Sequence, residues 1–290
     1  MSQPAFLVMP EWQGSSSSRA MRIAEGAALL REDLPLAARS DVPVPLEAGD
    51  ALGTPVARLS SLMHARASAR TAIAASAANG YDVPIVLGGD CAASLAGLEV
   101  AAATAAAESG RLAVLWFDAH PDLQHPSTSP SGAASGMTLR HALGDGAPDL
   151  ASAHPIDPAR TVLVGTREID PEERTEIVQR GIRQLAAHGD ADTLAAAVLA
   201  AIDGADRLYI HIDLDVLDPA EFTSVHTAVP FGLSVSELTT AVRAAVAAVP
   251  LVGAAISEFA PASPEAAADD QPTVLRILAA LTSGSARAAA

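Results

Sequence analysis

Hydrophobic and polar residues alternate in blocks along this chain. Short, continuously apolar runs, such as Arg111–Phe117 (RLAVLWF) and Arg207–Ile212 (RLYIHI), are separated by longer segments rich in alanine and leucine. Strands that are apolar on both faces are typical of a sheet covered by helices on both sides. Strands that alternate with helices at this spacing predict a parallel sheet with right-handed crossovers.

The block pattern predicts six strands and seven helices. The predicted strands are Ala5–Met9, Pro84–Leu87, Arg111–Phe117, Thr161–Val164, Arg207–Ile212 and Val252–Ser257. The predicted helices are Arg19–Leu30, Val56–Asn79, Ala92–Glu108, one that begins at Pro171, Ala191–Ile202, Val235–Val246 and Thr273–Leu281. Residues 118–137 are predicted to form a loop, because they are rich in proline, serine and glycine. No change in composition marks a linker and no repeat is visible, so we expect one domain over residues 1–290.

Charge and composition restrict the classes of function. The 290 residues include 34 acidic and 18 basic side chains, which gives a net charge of −16. A binder of nucleic acid or of an anionic membrane would present a basic face, so we expect neither partner. The longest apolar runs are too short to cross a bilayer. A single cysteine allows no internal disulfide, and no signal peptide is recognisable, so we expect a cytoplasmic protein.

Acidic residues follow directly after two of the predicted buried strands. Asp118, His120 and Asp122 follow RLAVLWF, and Asp213 and Asp215 follow RLYIHI. Residues two apart share one face of an extended chain, and open parallel sheets place their sites at these strand ends. Taken singly, each motif could be a turn or a helix cap. Together, four crowded carboxylates need neutralisation, which a pair of divalent cations would provide. Oxygen ligands with one imidazole favour Mn²⁺, and paired cations activate water for attack.

Five segments occur in an order that resembles the arginase/agmatinase family of ureohydrolases. They are LGGDCAAS (87–94), WFDAHPDL (116–123), VGTREIDP (164–171), HIDLDVLDP (211–219) and SEFAP (257–261). The resemblance implies a three-layer α/β/α fold with a mostly parallel sheet and a centre of two manganese ions. It also implies hydrolysis of a guanidino group with release of urea, and a homo-oligomer, either a trimer or a hexamer.

The resemblance also implies roles for individual residues. Asp118, His120, Asp122, Asp213 and Asp215 match metal ligands, with Asp118 and Asp213 shared by the two ions. Glu258 matches the carboxylate that binds the guanidinium, a planar cation that suits paired charge-assisted hydrogen bonds. The amino-acid end of the substrate is expected to contact Gln124, Ser129, Ser131 and Asp170, and Thr227 to lie near its guanidino end. The candidate catalytic residues are Asp122, Glu258 and His226.

Three residues depart from the family pattern. Cys91 stands where the family has a histidine ligand, so it is either a thiolate ligand or an inert buried thiol. Ser135 stands where arginases have a proton-shuttling histidine, and serine cannot replace imidazole near neutral pH. His226 replaces a usual glycine, and we expect it to act as proton shuttle or substrate contact, unless it is a solvent-facing loop residue.

The other histidines carry weaker signals. His211 is in register with Asp213 and Asp215, and it is either a partner of the metal ligands or, the preferred interpretation, a buried hydrogen-bonded side chain. His141 and His188 lie outside the motifs, and we expect no catalytic role for them.

The sequence therefore predicts a metal-dependent hydrolase of a guanidino amino acid, most simply of L-arginine to L-ornithine and urea. Formimidoylglutamase, agmatinase or another guanidino-acid hydrolase is an alternative, as is a catalytically impaired subunit that serves binding or assembly. A nucleotide-binding oxidoreductase is disfavoured, because Gly88-Gly89-Asp90 lacks the required glycine spacing.

Overall fold

The structure is a computed structural model that describes residues 3–187 and 189–287, without the side chains of residues 285–287. The described part contains eight strands in one sheet, and every paired neighbour is parallel. The strands are β1 (Pro4–Val8), β2 (Arg39–Asp41), β3 (Val83–Leu87), β4 (Leu112–Phe117), β5 (Thr161–Val164), β6 (Arg183–Leu185), β7 (Arg207–Asp213) and β8 (Leu251–Ser257). Their order across the sheet is β2-β1-β3-β8-β7-β4-β5-β6.

Eight α-helices flank this sheet in the described ranges. They are α1 (Met21–Arg31), α2 (Leu59–Ala78), α3 (Leu95–Ala107), α4 (Thr138–Ala142), α5 (Pro171–Arg180), α6 (Ala191–Ala201), α7 (Val235–Ala248) and α8 (Pro264–Arg287). Short 3₁₀ turns cover Leu36–Ala38, Cys91–Ser94, Ser135–Met137, Pro158–Arg160 and Leu214–Val216. None of the helices in the described ranges is long and apolar enough to cross a membrane.

Alternate residues of each central strand pack against opposite helical layers. In β4, Leu115 and Phe117 join a core with α1, α6, α7 and α8, whereas Val114 and Trp116 join a core with α3, α4 and α5. Helix α2 covers the same face as α3, through Ala65 and its neighbours packed on β1 and β3. Because both faces are buried, the strands read as continuously apolar, and the predicted three-layer α/β/α class is confirmed.

All six predicted strands and all seven predicted helices are present. The strand Thr161–Val164 and the helix start at Pro171 match the prediction, and the other elements are shifted at one or both ends. Two edge strands, β2 and β6, were not predicted, because their sequences RSD and RQL are short, mostly polar and contain no continuous apolar run. The closing helix begins at Pro264 rather than Thr273 and passes through Pro272. The helix predicted from Ala92 begins with a 3₁₀ turn before α3, and α2 begins at Leu59 rather than Val56.

The central strands place their chemistry at one edge. Strands β3, β8, β7 and β4 are neighbours, and their carboxyl ends lead into Cys91, Glu258, Asp213 and Asp118 respectively. This edge is where parallel sheets of this kind bind ligands.

Candidate metal centre and substrate cavity

Asp118 and its neighbours are held by local hydrogen bonds. Asp118 is fully buried, and its Oδ1 accepts from the backbone N–H of His120 at 2.7 Å while its Oδ2 accepts from Trp116 Nε1 at 3.1 Å. Asp215 Oδ1 accepts from the N–H of Ala119 at 3.0 Å, and its Oδ2 lies 3.0 Å from His120 Nδ1. The turn after β4 is thereby tied to the turn after β7.

Asp213 and Cys91 join the third strand end to this cluster. Asp213 Oδ1 accepts from the N–H of Asp215 at 2.8 Å, and its Oδ2 accepts from Cys91 Sγ at 3.1 Å. Cys91 is buried and also lies 3.8 Å from Ser257 Oγ. The Cys91 thiol therefore faces the carboxylates that the sequence predicts as metal ligands.

Potential ligand atoms gather in three overlapping groups, each with all its atoms within 4.8 Å of one another. The groups are Cys91, Asp118, Asp122 and His211; Cys91, Asp213 and Glu258; and Asp118, His120 and Asp215. Asp118 and Cys91 each belong to two groups, whereas Asp213, the other residue predicted to be shared, belongs to one. Every metal ligand predicted from the sequence thus lies in one cluster, and His211 joins it.

Two of these residues adopt strained backbone conformations. Asp122 has φ 51° and Glu258 has φ 64°, in the left-handed region that residues other than glycine seldom occupy. Asp122 Oδ2 is buried without a hydrogen-bond partner in the described structure. Such strain at an orphaned carboxylate is typical of functional sites, and the free oxygen is suited to a cation.

The electrostatics of the cluster also suit cations. Burial, followed by the charge of Asp215, raises the pKa of Asp118 to about 7. Burial and neighbouring carboxylates likewise raise the pKa values of Asp122, Asp213 and Glu258. These groups repel one another in a region of low polarity, so positive charge would stabilise their ionised forms.

Neighbouring carboxylates favour the protonated form of both His120 and Cys91. Burial lowers the pKa of His120, but hydrogen bonds to Asp118 and Asp215 outweigh it and raise the pKa to about 12. Burial and the surrounding carboxylates raise the pKa of the Cys91 thiol well above its usual value. The thiol therefore stays protonated unless a cation binds beside it.

The residues present fit a pair of divalent ions. The donor set consists of carboxylate oxygens, imidazole nitrogens and one sulfur, and two of its buried atoms, Asp122 Oδ2 and His211 Nε2, have no protein partner in the described structure. Oxygen and nitrogen donors in this proportion suit Mn²⁺ and neighbouring ions of the series.

A cavity of about 520 Å³ opens above the cluster. Its floor includes Cys91, His120, Asp122, Asp213, Asp215 and Glu258, and its walls include Gln124, Ser131, Asp170, His226 and Thr227. The volume lies in the range for a small-molecule site. All but two of the predicted site residues therefore line one cavity; the exceptions, Asp118 and Ser129, lie behind its wall.

Polar side chains on one wall form a chain of hydrogen bonds. Ser129 Oγ donates to Gln124 Oε1 at 2.8 Å, and Gln124 Nε2 donates to Asp170 Oδ2 at 3.1 Å. Ser129 thus holds Gln124, while the exposed hydroxyl of Ser131 faces the cavity. A carboxylate and hydroxyl groups at a cavity rim can bind the ammonium and carboxylate of an amino acid.

His226 lies on the opposite wall in an anchored loop. It is half-buried, and its Nε2 has no hydrogen-bond partner in the described structure. Burial, followed by the charges of Arg22 and Arg19, lowers its pKa. The loop is fixed because the N–H groups of Thr223 and Ser224 both donate to Asp270, at 3.1 and 2.9 Å. A neutral imidazole facing the cavity is compatible with proton transfer.

Sequence reasoning missed part of the cavity wall. The serine run Ser15–Ser18 and the acidic side chains of Glu168 and Glu173 line it. The run follows the first strand, so its position at the carboxyl edge was the available signal. Asp90 ties this loop down, since its Oδ2 accepts from the N–H of Gly14 at 2.7 Å, and a Cβ at Gly14 would lie 2.2 Å from Asp90 Oδ1.

The sequence pattern did not assign His211, on β7, to the cluster of potential metal ligands. Its ring is fully buried and stacks on Trp116 with ring centroids 3.6 Å apart and an interplanar angle of 11°. Its Nδ1 lies 2.7 Å from Ser94 Oγ, whereas Nε2 has no partner in the described structure. Burial lowers its pKa to about 3, so the ring is neutral. His188 lies outside the described residues.

Known proteins resemble this chain in sequence and in fold. The model of the arginase family matches residues 12–281. An arginase of Bacillus caldovelox is 34% identical over 163 residues, which cover 53% of this chain and 53% of that protein. An N(omega)-hydroxy-L-arginine amidinohydrolase of Streptomyces lavendulae is 34% identical over 201 residues, 69% of each chain. The structure of Entamoeba histolytica arginase superposes with a TM-score of 0.82 at 24% identity, covering 97% of this chain and 99% of that one.

These findings define the class of protein. The chain belongs to the arginase family, and its sheet with two helical layers is the fold of arginase structures. The sequence match spans about half the length of the arginases of Bacillus caldovelox and Agrobacterium fabrum.

Proposed function

We propose that this protein is a metal-dependent amidinohydrolase that cleaves the guanidino group of an amino acid, with L-arginine as the first candidate and L-ornithine and urea as products. The observation that carries the proposal is the cavity whose floor holds buried carboxylates, imidazole and thiol beside Glu258. Membership of the arginase family supports the same class of reaction.

The metal centre would be held by the clustered residues. We propose that Asp118, His120, Asp122, Asp213 and Asp215 would hold two divalent ions, most simply Mn²⁺. When bound, such ions polarise the reacting group and lower the pKa of water.

Glu258 is proposed to hold the guanidinium. Its backbone N–H donates to Gly89 O at 3.0 Å, which fixes the left-handed turn that places the carboxylate on the cavity floor. Its pKa is raised by burial and by Asp90 and Asp215, so a bound cation relieves repulsion that the free site retains. The carboxylate orients the planar group for attack.

The polar walls are proposed to select an amino-acid substrate. Asp170 and Gln124 present a carboxylate oxygen and an amide beside the hydroxyl of Ser131, and Ser129 keeps Gln124 in place. Asp170 would accept hydrogen bonds from the substrate α-ammonium, and Ser131 would donate to its carboxylate. A decarboxylated substrate such as agmatine has no carboxylate to accept a hydrogen bond from Ser131, so we expect weaker turnover of it.

Proton transfer to the departing amine is assigned to the wall that carries His226 and Thr227. The neutral ring of His226 can take a proton from the attacking water and release it to the amine. Ser135, which also lines the cavity, can hydrogen-bond but cannot titrate in this range.

A second candidate substrate is N(omega)-hydroxy-L-arginine. The Streptomyces lavendulae amidinohydrolase of that name matches a larger share of this chain than the Bacillus caldovelox arginase does, 69% against 53%. Its amino-acid end is the same as that of arginine, so the polar wall would serve both substrates. The two candidates differ only at the guanidino end, beside Glu258 and Thr227.

A substrate screen tests the proposal. Protein reconstituted with Mn²⁺ is assayed against L-arginine, N(omega)-hydroxy-L-arginine, agmatine and formiminoglutamate, with release of urea, hydroxyurea, ammonia or formamide as readouts. We expect turnover of one of the two arginine substrates, at least tenfold above agmatine in kcat/KM, and its loss after chelation. Preference for agmatine or formiminoglutamate would contradict the assigned amino-acid wall, and no turnover of any of them would overturn the proposal.

The homo-oligomer and the cytoplasmic location stay predictions.

A further inference from the structure

We infer that His211 supplies a metal-ligating imidazole on the Cys91 side of the centre, from a strand position that the sequence pattern did not assign to the ligand set. The inference rests on the proposed metal-dependent function and names an additional ligand of the same site.

The first support is the open face of the ring. His211 is fully buried on β7, and in the described structure Nε2 has no hydrogen-bond partner. A buried, unpaired ring nitrogen is costly, and unlike the unpaired nitrogens of His141 this one lies beside carboxylates of the cluster. Asp118 Oδ2 lies 3.9 Å from Nε2, too far for a hydrogen bond but suitable for two ligands of one ion.

The second support is the geometry around that nitrogen. His211 belongs to a group with Cys91, Asp118 and Asp122, in which one potential ligand atom of each residue lies within 4.8 Å of all the others. Ligand atoms on opposite sides of one ion lie about 4.0–4.6 Å apart, since each bond is about 2.0–2.3 Å long. The four atoms therefore need to move only slightly to surround an ion. Asp122 Oδ2, also unpaired, belongs to the same group of residues.

The third support is that the ring is fixed in the ligating orientation. Ser94 Oγ lies 2.7 Å from Nδ1, and in the tautomer whose Nδ1–H donates to this hydroxyl, Nε2 carries a lone pair on the side of Asp118. Ligating histidines usually use the second nitrogen in this way. Trp116 stacks on the ring and donates to Asp118 Oδ2 at 3.1 Å, so one side chain positions both groups.

The inferred ligand explains how the site tolerates Cys91. Four carboxylates and a protonated thiol would offer one of the two ions no nitrogen ligand, because His120 lies in the other group with Asp118 and Asp215. With His211, each ion receives one imidazole and shares Asp118. Cys91 then contributes a weak sulfur donor or a thiol hydrogen-bonded to Asp213.

Metal binding by variants tests the inference without reference to turnover. Mn²⁺ is titrated calorimetrically into the metal-free wild type, His211→Phe and a matched control, His141→Phe. Phenylalanine retains a ring that can stack on Trp116 but removes the nitrogen, and His141 is equally buried but outside the cavity. We expect two ions in wild type and control, and one ion bound about tenfold or more weakly in His211→Phe.

A rescue variant separates ligation from packing. Cys91→His in the His211→Phe background places an imidazole back on the same ion, so we expect tight binding of both ions to return. Equal affinities in wild type and His211→Phe, or a loss of affinity that Cys91→His does not reverse, would overturn the inference.

A spectroscopic count on the unaltered protein covers the case in which His211→Phe does not fold. Pulsed EPR of Mn²⁺-loaded wild type, with and without ¹⁵N-labelled histidine, counts directly bound imidazoles. We expect two, from His120 and His211, and a count of one would contradict the inference. If both imidazoles bind while the substrate screen shows no turnover, the proposed reaction fails and the inference about His211 stands.

Discussion

At the scale of single residues, the proposed chemistry depends on a few side chains whose surroundings oppose their ionised forms. Glu258 is the clearest case, because burial and the neighbouring carboxylates both raise its pKa. Its position on the cavity floor suits the proposed role of binding a guanidinium cation.

Glu258→Gln tests this assignment directly. The amide keeps the shape of the side chain and removes the charge, so the guanidinium loses a charge-assisted hydrogen bond. We expect a loss of about 2–4 kcal/mol, which corresponds to roughly 30- to 1000-fold in kcat/KM. Steady-state kinetics on the preferred substrate measure it. Glu172→Gln, at an exposed position of α5, is the control, and an equal kcat/KM for both variants would refute the role.

Single residues also show where sequence reasoning stops. Asp118, His120 and Asp215 could be predicted as neighbours because each follows a buried strand whose end lies at the same edge. His211 was interpreted as a hydrogen-bonded core residue, and its Nδ1 bond to Ser94 agrees with that interpretation. That its Nε2 has no partner depends on the packing of two distant segments, which no local pattern contains.

At the scale of elements, helix α5 links the cavity wall that carries Asp170 and Gln124 to the loop after β4. Glu173 is the link, because its Oε2 accepts from the N–H of Asp170 at 3.0 Å and its Oε1 accepts from the N–H of Leu123 at 3.0 Å. Leu123 directly follows the candidate ligand Asp122. One buried carboxylate thus orders the start of α5 and the loop after β4.

Glu173→Ala removes both hydrogen bonds and leaves two backbone donors unpaired. We expect the free energy of unfolding to fall by about 1–3 kcal/mol, with a higher KM because Asp170 and Gln124 lose their support. Urea denaturation and steady-state kinetics report the two effects. Gln179→Ala, exposed on the same helix, should leave both nearly unchanged. An unaltered KM in Glu173→Ala would show that the wall does not depend on α5.

Strands and helices could be predicted where their burial requires a recognisable run of apolar residues. The six predicted strands have apolar runs because helices cover both faces, whereas β2 and β6 are mostly polar edge strands that each pair with one neighbour. Helix α8 was predicted too short because Pro272 interrupts it, yet the chain remains helical from Pro264. Tertiary packing decides these cases, since Val274 and Ile277 are buried in the core against the sheet.

At the scale of the whole molecule, acid stability depends on histidines that are buried without charge. His141 is fully buried away from the cavity, and burial followed by Arg66 lowers its pKa to about 4, against the opposing effect of Asp145. Between about pH 4 and 6.5 the unfolded chain therefore binds more protons here than the folded one. The free energy of unfolding therefore rises with pH in that window. The contribution that the neutral His141 makes to it is lost as the pH falls.

His141→Phe isolates this contribution. The wild type should lose up to roughly 3 kcal/mol more than the variant between pH 7 and pH 4, since each pKa unit corresponds to about 1.4 kcal/mol. Chemical denaturation of both proteins across this range measures the difference, with the metal-free form used throughout. Parallel pH profiles for the two proteins would show that His141 does not titrate on unfolding.

The central claim is that one edge of the sheet holds a pair of divalent cations for chemistry in the cavity above. The most direct test is anomalous diffraction at the manganese edge from crystals grown with Mn²⁺. The account predicts two peaks, one among Cys91, Asp118, Asp122 and His211 and one among Asp118, His120 and Asp215. A map without anomalous density at these side chains, in crystals shown to contain manganese in the solvent, would contradict it.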